Sequence, residues 1–212
     1  MRRLIMTAAI AALVLPVEAY AHPHVFADAR LEIVAGADGT VSELHNVWRF
    51  DDVFSSSVLM DFDKNANLKL DPEELEEIGS TVLASLEEFS YYTTLTDNGK
   101  TIGVTKPEAI HVDFKDGQLL MFFAVRPKQS MPLTGKLTFG VYDPTLYTSI
   151  DFAQDSDMVL MGDFKGCKHE VVRPDPDEVM AENSANLTDA FFNDPMGTDM
   201  SKLFATRMEL TC

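Results

Sequence analysis

Short apolar segments separated by turn residues dominate the chain from residue 25 onward. The segments are rich in β-branched and aromatic residues, which is typical of β-strands. Two turns, Asp97 to Lys100 and Lys115 to Gly117, contain Asn-Gly or Asp-Gly pairs that tolerate a positive φ and favour hairpins. We predict strands at Val25 to Val34, Val41 to Phe50, Ala109 to Phe114, Leu119 to Val125, Lys136 to Tyr142, Thr148 to Phe152, Cys167 to Arg173 and, last, near Leu203 to Leu210.

Apolar residues alternate in part with polar ones along the first two predicted strands, at Leu31, Ile33, Val41, Leu44 and Val47. This period of two predicts a sheet with one face in the core and one face in solvent. Because short strands and hairpins predominate, we expect an α+β fold that is mainly antiparallel β and sandwich-like.

A helical pattern interrupts the strands between about residues 50 and 90. Asp71 can cap a helix here, and Pro72 fits its first turn. Apolar residues then recur at spacings of three and four, which places them on one helix face, at Leu75, Ile78, Val82, Leu86 and Phe89. A shorter helix before it would carry Phe50, Val53, Phe54 and Val58. We therefore expect an inserted helix-loop-helix.

Acidic side chains dominate the composition of the 212 residues. There are 34 Asp plus Glu against 17 Lys plus Arg, a formal charge of −17. This charge would repel nucleic acids and anionic lipids, so we expect neither as a partner. The segment at about residues 174–195 is acidic and poor in β-forming residues, and we interpret it as a linker or a short surface helix.

The first 21 residues have the pattern of a cleavable signal peptide. Arg2 and Arg3 precede an apolar run from Leu4 to Val14, and small residues begin and end the tripeptide Ala19 to Ala21. The run is too short for a stable membrane span, and no later stretch approaches the ~18 apolar residues that a span needs. We therefore expect export to the bacterial periplasm, no stable membrane anchor, and a single β-rich domain at residues 22–212.

The two cysteines, Cys167 and Cys212, would then lie in an oxidising compartment. We expect one disulfide between them, because closing so long a loop stabilises a fold by roughly 3–4 kcal/mol in the chain-entropy view. A pair of soft-metal thiolates is the alternative, although no CxxC spacing supports it.

The stretch from Asp63 to Glu74 has the length and the ligand positions of an EF-hand loop. Leu68 occupies position 6, where Gly normally makes a left-handed turn, at a cost of roughly 1–2 kcal/mol. Calcium binding and a metal-free helix-loop-helix are therefore both open as hypotheses. The predicted ligands are Asp63, Asn65, Asn67, Lys69 through its carbonyl, Asp71 and Glu74.

The sequence His22-Pro23-His24 directly follows the predicted cleavage point. In an extended strand, residues i and i+2 point to one face, so two imidazoles there can bind one transition-metal ion. The free α-amine of His22 would offer a third nitrogen. Pro23 has no amide hydrogen, which disfavours the square-planar amino-terminal clip of copper and nickel. Two kinds of metal site are left. In one, the two imidazoles bind the ion; in the other, the α-amine and the imidazole of His22 bind it together.

Further side chains would have to complete a two-imidazole site. We favour His45, because it belongs to a strand that we expect beside the first one. The other candidates are His111, His169, Asp51 and Asp143. The sequence contains no GxSxG, HExxH or Walker motif, so we do not expect an enzyme.

Four motifs carry a family resemblance, together with Cys167 and the terminal Cys212. The motifs are Ala21 to Phe26, Trp48 to Asp51, Leu70 to Leu75 and Val141 to Thr145. In this combination the chain resembles a family of secreted bacterial proteins that is labelled a domain of unknown function and described as the periplasmic component of uncharacterised ABC-type transport systems. The resemblance implies handling of nickel, cobalt or zinc, because members are often associated with transport genes for these metals.

The leading hypothesis is a soluble periplasmic accessory protein in which His22, His24 and His45 bind a divalent transition metal. Nickel, cobalt, zinc and copper are the candidate ions, and an inner-membrane metal transporter is the expected partner. One alternative is a periplasmic copper-binding chaperone that uses the amine and ring of His22. Another is a structural or interaction module that is stabilised by calcium and binds no transition metal.

Overall fold

Two β-sheets and three α-helices make up the part of the chain that the computed structural model describes, residues 23–187, 191 and 200–212. The predicted signal peptide and His22 lie outside these residues. The helices are α1 (Asp52–Phe62), α2 (Pro72–Ser85) and α3 (Pro176–Glu182). The strands are β1 (Val25–Ala35), β2 (Val41–Phe50), β3 (Thr93–Asp97), β4 (Lys100–Ile102), β5 (His111–Lys115), β6 (Gln118–Val125), β7 (Lys136–Val141), β8 (Thr148–Asp151), β9 (Met158–Met161), β10 (Lys168–Val172) and β11 (Arg207–Thr211).

Strand β1 is hydrogen-bonded on both sides within a six-stranded sheet of order β5-β6-β2-β1-β8, in which β9 also pairs with β1. Its antiparallel partner β2 follows nearly its whole length. On the other side, β8 runs parallel to residues 25–28 and β9 runs parallel to residues 31–34. The first residues of β1 are therefore fixed in register from two directions.

The second sheet has the order β10-β11-β7-β3-β4 and is antiparallel throughout. One core cluster contains inward side chains of both sheets, including Leu31, Trp48, Leu95 and Phe139. Trp48 packs edge-to-face on Phe123 with ring centroids 4.9 Å apart, a favourable aromatic geometry. Two mostly antiparallel sheets with a few helices confirm the predicted α+β fold.

Most predicted strands agree with the observed ones to within two residues. The two predicted hairpin turns are confirmed, since Asn98, Gly99, Asp116 and Gly117 all have positive φ. The last strand begins later than predicted because residues 201–204 form a 3-10 turn. β3, β4 and β9 are absent from the predicted strands. The sequence indicates β3 and β4 only through their hairpin turn, and β9 shows no alternation because its four residues are all apolar.

Both predicted helices of the insert are present. At the start of α2, the Glu74 carboxylate accepts a hydrogen bond from the Asp71 amide at 2.8 Å, and Pro72 is the first helical residue. The helix ends before Phe89, earlier than the apolar spacing predicts, because residues 90–92 have φ between +52° and +55° and cannot continue a right-handed helix. α3 is the short helix expected in the acidic segment, of which residues 188–190 and 192–195 lie outside the described part.

A disulfide joins Cys167 to Cys212, as predicted, so the alternative of a pair of metal-binding thiolates is wrong. The antiparallel pairing of Lys168 with Thr211 places the two cysteines side by side at the ends of β10 and β11. A disulfide is compatible with an extracytoplasmic protein. None of the helices in the described ranges is both long and apolar enough to cross a membrane.

Candidate functional site

The amino-terminal end of β1 is held by the connection between β7 and β8. The main-chain nitrogens of His24 and Val25 donate hydrogen bonds to the carbonyl oxygen of Tyr147, at 2.9 and 3.3 Å. The ring of His24 lies 5.1 Å from the ring of Tyr147, centroid to centroid. His24 is thus fixed through its main chain while its side chain is exposed.

Asp143 stabilises the connection between β7 and β8 by hydrogen bonds. Its buried carboxylate accepts hydrogen bonds from the amides of Thr145 and Thr148, at 2.7 and 2.9 Å, and from the Thr145 hydroxyl at 2.7 Å. Burial, followed by the negative charge of Asp143, raises the pKa of the neighbouring Tyr92. Both carboxylate oxygens of Asp143 are therefore engaged in shaping the turn that carries Tyr147. The structure gives Asp143 a structural role rather than the metal-ligand role considered for it from the sequence.

Asp51 holds β1 from the opposite side. One carboxylate oxygen accepts a hydrogen bond from the Phe26 amide at 3.0 Å, and the other accepts from the Val53 and Phe54 amides, both at 2.9 Å. Burial raises the pKa of the Asp51 carboxyl, but these amide hydrogen bonds together outweigh burial and lower it. Asp51 is thus the N-cap of α1 and also a hydrogen-bond acceptor for the main chain of β1. Both of its carboxylate oxygens accept hydrogen bonds from amides.

His45 lies on the same sheet as His24 but far along it. β1 and β2 pair Glu32 with His45, so His45 stands opposite a residue eight positions beyond His24. At a rise of about 3.3 Å per residue, the separation is roughly 26 Å. The structure does not bring His45 and His24 to one site, because antiparallel pairing puts the middle of β2 beside the far half of β1.

Carboxylates surround His45 instead. Its Nε2 lies 2.9 Å from Glu43 and its Nδ1 lies 3.7 Å from Glu32. Hydrogen bonds from His45 and then from Arg126 lower the pKa of Glu43. These side chains line a cavity of about 440 Å³ on the outer face of the six-stranded sheet.

The remaining candidate histidines also lie apart from His24. His111 lines the same outer-face cavity as His45, and His169 is on β10 of the second sheet. Within residues 23–187, 191 and 200–212, no three His, Cys, Asp or Glu side chains are grouped so that they could hold a metal ion, and this holds for Asp63, Asp71 and Glu74 of the EF-hand-like loop as well. Of the predicted imidazole pair, His24 belongs to the described residues and His22 does not.

The EF-hand-like loop between α1 and α2 has the left-handed main-chain conformation at position 6, and Ala66 at position 4 also has a positive φ. Leu68 adopts a φ of +62°, the left-handed conformation required at position 6, and its amide donates to the Asp63 carboxylate at 2.7 Å. The side-chain amides of Asn65 and Asn67 donate to Asp71 at 2.8 and 3.1 Å. Asn65 and Asn67 thus face Asp71 and close the loop by hydrogen bonds, whereas the Glu74 carboxylate accepts from the amides of Lys64 and Asp71.

Two comparisons with known proteins bear on the whole chain. The profile of the family described as Protein of unknown function (DUF1007) matches residues 7–212. This chain belongs to the DUF1007 family. A Haemophilus influenzae protein described as an uncharacterized protein is 24% identical over 196 residues, which cover 91% of each chain. The matches confirm the family resemblance carried by the motifs, and neither description names a metal or a transport role.

Two exposed aromatic side chains beside His24 are missing from the predicted site residues of this DUF1007 protein. Phe26 is 53% exposed and Tyr147 is 50% exposed. The signal for Phe26 is its position, because a residue two places after His24 points to the same sheet face. Tyr147 gives no such signal, since it reaches His24 only through the pairing of β1 with β8, which are distant in sequence.

Proposed function

We propose that this DUF1007 protein is a metal-binding accessory protein of the periplasm. Removal of residues 1–21 leaves His22 as the first residue, and the imidazoles of His22 and His24 capture a divalent nickel, cobalt or zinc ion. The ion is cargo, which passes by ligand exchange to an inner-membrane transporter. In this proposal the protein acts by binding and catalyses no reaction.

The position of His24 is the observation that supports the proposal most directly. Tyr147 holds the main chain at His24 and Asp51 holds it two residues later, whereas the imidazole is exposed. A side chain on a fixed main chain loses less conformational freedom when it binds, and an exposed one leaves space for ligand exchange. Residues two apart in a chain lie within about 7 Å, so His22 can share an ion with His24.

Charge and compartment support the same role. A formal charge of −17 raises the concentration of cations near the protein surface. The disulfide between Cys167 and Cys212 suits the oxidising periplasm. The association of the resembling family with nickel, cobalt and zinc transport genes points to the same class of cargo.

Calorimetric titration of the chain that begins at His22 with Ni²⁺, Co²⁺, Zn²⁺ and Cu²⁺ tests the proposal. We expect one ion per chain for wild type and no binding by the His22→Ala, His24→Ala double variant. The control variant His111→Ala, His169→Ala removes two other strand histidines and should bind like wild type. Absence of binding by wild type, or equal binding by all three proteins, would contradict the proposal.

Calcium stabilisation is a second candidate function, favoured by the left-handed Leu68 and its hydrogen bond to Asp63. In that case added Ca²⁺ raises the melting temperature of wild type and of the His22→Ala, His24→Ala variant by the same amount. The Asp63→Asn variant, which loses a carboxylate at position 1, should respond much less. A melting temperature that does not change with Ca²⁺ would exclude this candidate.

A further inference from the structure

An exposed apolar patch surrounds His24 on the outer face of the six-stranded sheet. At the start of β1, Val25 and Ala27 are buried, so the alternating residues His24 and Phe26 lie on the outer side. β8 pairs Phe26 with Ser149, and Tyr147 stands two residues before Ser149, next to His24. We call His24, Phe26, Val53 and Tyr147 the β1-start patch.

Three members of the β1-start patch, Phe26, Val53 and Tyr147, are large apolar side chains with at least half of their surface exposed to solvent. Val53, in the first turn of α1, is 78% exposed, in addition to the half-exposed Phe26 and Tyr147. A cavity of about 520 Å³ opens between Phe26 and Val53. Clustered exposed aromatic side chains beside a concavity are characteristic of protein interfaces, where they supply the central contacts.

Four carboxylates, those of Asp28, Asp51, Asp52 and Asp151, line the cavity beside the patch together with Arg49. Arg49 pairs with Asp28 at 2.7 Å, and Arg173 pairs with Asp155 at 2.8 Å and with Asp151 at 3.6 Å. Asp52 adds an exposed carboxylate at the start of α1. Even with Asp51 left aside, the carboxylates of Asp28, Asp52, Asp151 and Asp155 outnumber the two guanidinium groups, so the rim is negative.

We propose that the β1-start patch docks a peptide segment of a partner protein in which apolar side chains are flanked by Lys or Arg. Such a segment would fill the cavity with its apolar side chains and complement the acidic rim with its basic ones. The rim and the charge of −17 disfavour an anionic lipid surface and a second copy of this acidic chain. This inference rests on the proposed function, because docking here would bring the partner to the ion held by His24.

Photocrosslinking from position 26 tests the docking surface. A benzophenone amino acid replaces Phe26, and the protein is irradiated with inner-membrane vesicles of the bacterium that produces it. The control carries the same group in place of Phe122, which is also exposed on the outer face of this sheet. We expect an adduct from position 26 only, which mass spectrometry maps to a periplasmic segment of a membrane protein containing apolar and basic residues. Adducts with lipid or with a second copy, equal adducts from both positions, or no adduct would overturn the proposal.

Charge reversal separates docking from metal binding. Asp52→Lys should lower the adduct yield from position 26 severalfold, and higher ionic strength should lower it further. Asp61→Lys makes the same charge change at the other end of α1, away from the rim, and should leave the yield unchanged. Both variants should bind metal at His22 and His24 like wild type. If the protein binds the metal and the Asp52→Lys and Asp61→Lys variants give equal adduct yields, only the docking proposal is refuted. If the protein binds no metal but gives a specific adduct from position 26, only the proposed function is refuted.

Discussion

Asp51 and Asp143 fix the main chain at the start of β1, one from each side of the strand. The Asp51 carboxylate accepts from three main-chain amides, and the Asp143 carboxylate accepts from two amides and from the hydroxyl groups of Thr145 and Tyr92. In the sequence, both are plausible metal ligands because a carboxylate can either bind a cation or cap main-chain amides. The Phe26 amide and the Tyr92 hydroxyl come from distant parts of the chain, whereas the other donors lie within five residues of the carboxylate that they bind. The local fold of the chain after each aspartate therefore decides between the two roles.

Asp143→Asn should destabilise the protein and weaken its metal binding together. A side-chain amide has one acceptor oxygen, so a buried N–H of Thr145 or Thr148 would lose its partner at a cost of about 1–3 kcal/mol. Disorder in this turn would then release the Tyr147 carbonyl that holds His24. Urea unfolding and Ni²⁺ titration measure the two effects.

Asp38 provides the matched control for Asp143. In the turn at the other end of β1, one oxygen of Asp38 accepts from the amide and hydroxyl of Thr40, at 3.2 and 2.8 Å. Asp38→Asn should therefore change stability less than Asp143→Asn and leave metal affinity unaltered. If the two variants lose Ni²⁺ affinity equally, Asp143 does not position His24.

Leu68→Gly should stabilise the protein by about 1 kcal/mol. The Leu68 side chain is 81% exposed, so little buried area is lost, and its φ of +62° favours glycine. Leu68→Ala keeps the unfavourable backbone conformation and should change stability less. Urea unfolding of both variants decides the matter, and a less stable Leu68→Gly would show that the Leu68 side chain contributes contacts that outweigh the backbone strain.

At the scale of elements, α2 packs against the segment before β5 at Gly79. A Cβ atom at this position would collide with the carbonyl oxygen of Ile110 and approach Val112. Helix propensity alone would make Gly79→Ala stabilising by about 1 kcal/mol. We expect the opposite sign, a destabilisation of about 1–3 kcal/mol, because the backbone carbonyl cannot move away without disturbing the strand.

The neighbouring position supplies the control for Gly79. Ser80 is exposed on α2 and donates only to the Glu76 carbonyl within the helix. Ser80→Ala should therefore be neutral or slightly stabilising in the same thermal unfolding experiment. A stabilising Gly79→Ala would mean that α2 does not pack this closely on the chain at Ile110.

Local patterns predict the elements here better than they predict the site. The bounds of β2 follow from the partly alternating apolar residues between its flanking turns. The N-terminus of α2 follows from Asp71 and Pro72. Both signals are short-range. The roughly 26 Å between His24 and His45 depends instead on which residues of β1 and β2 pair. The short turn between β1 and β2 sets that register, so counting outward from the turn places His45 opposite Glu32 and not beside His24. The predicted grouping of His45 with His24 considered only that the two strands are neighbours and left this register out.

For the whole molecule, the lowered carboxyl pKa values predict loss of stability in acid. Glu43, Asp51 and Glu209 have pKa values below their ordinary range, with hydrogen bonds from His45, from amides and from Lys136 among the causes. A carboxyl whose pKa is lower in the folded state stabilises the fold above its unfolded pKa, and this contribution disappears as the pH falls through the folded value. Stability should therefore fall below about pH 4.

Thermal unfolding between neutral pH and about pH 3, in enough salt to screen general repulsion among the acidic side chains, measures this dependence. The Glu43→Gln variant should show a shallower decline than wild type, since it lacks one of the groups with a lowered pKa. A melting temperature that stays constant or rises in acid would contradict the assignment of these carboxylates as stabilising partners.

Native mass spectrometry of the protein isolated from the periplasm tests the central claim most directly, because one spectrum reports both the processed terminus and the bound ion. We predict a chain that begins at His22 and carries one nickel, cobalt or zinc ion, which is absent from the His22→Ala, His24→Ala variant and retained in the His111→Ala, His169→Ala variant. A chain that begins elsewhere, or a correctly processed chain that takes up none of these ions even after titration, would contradict a metal-delivery role.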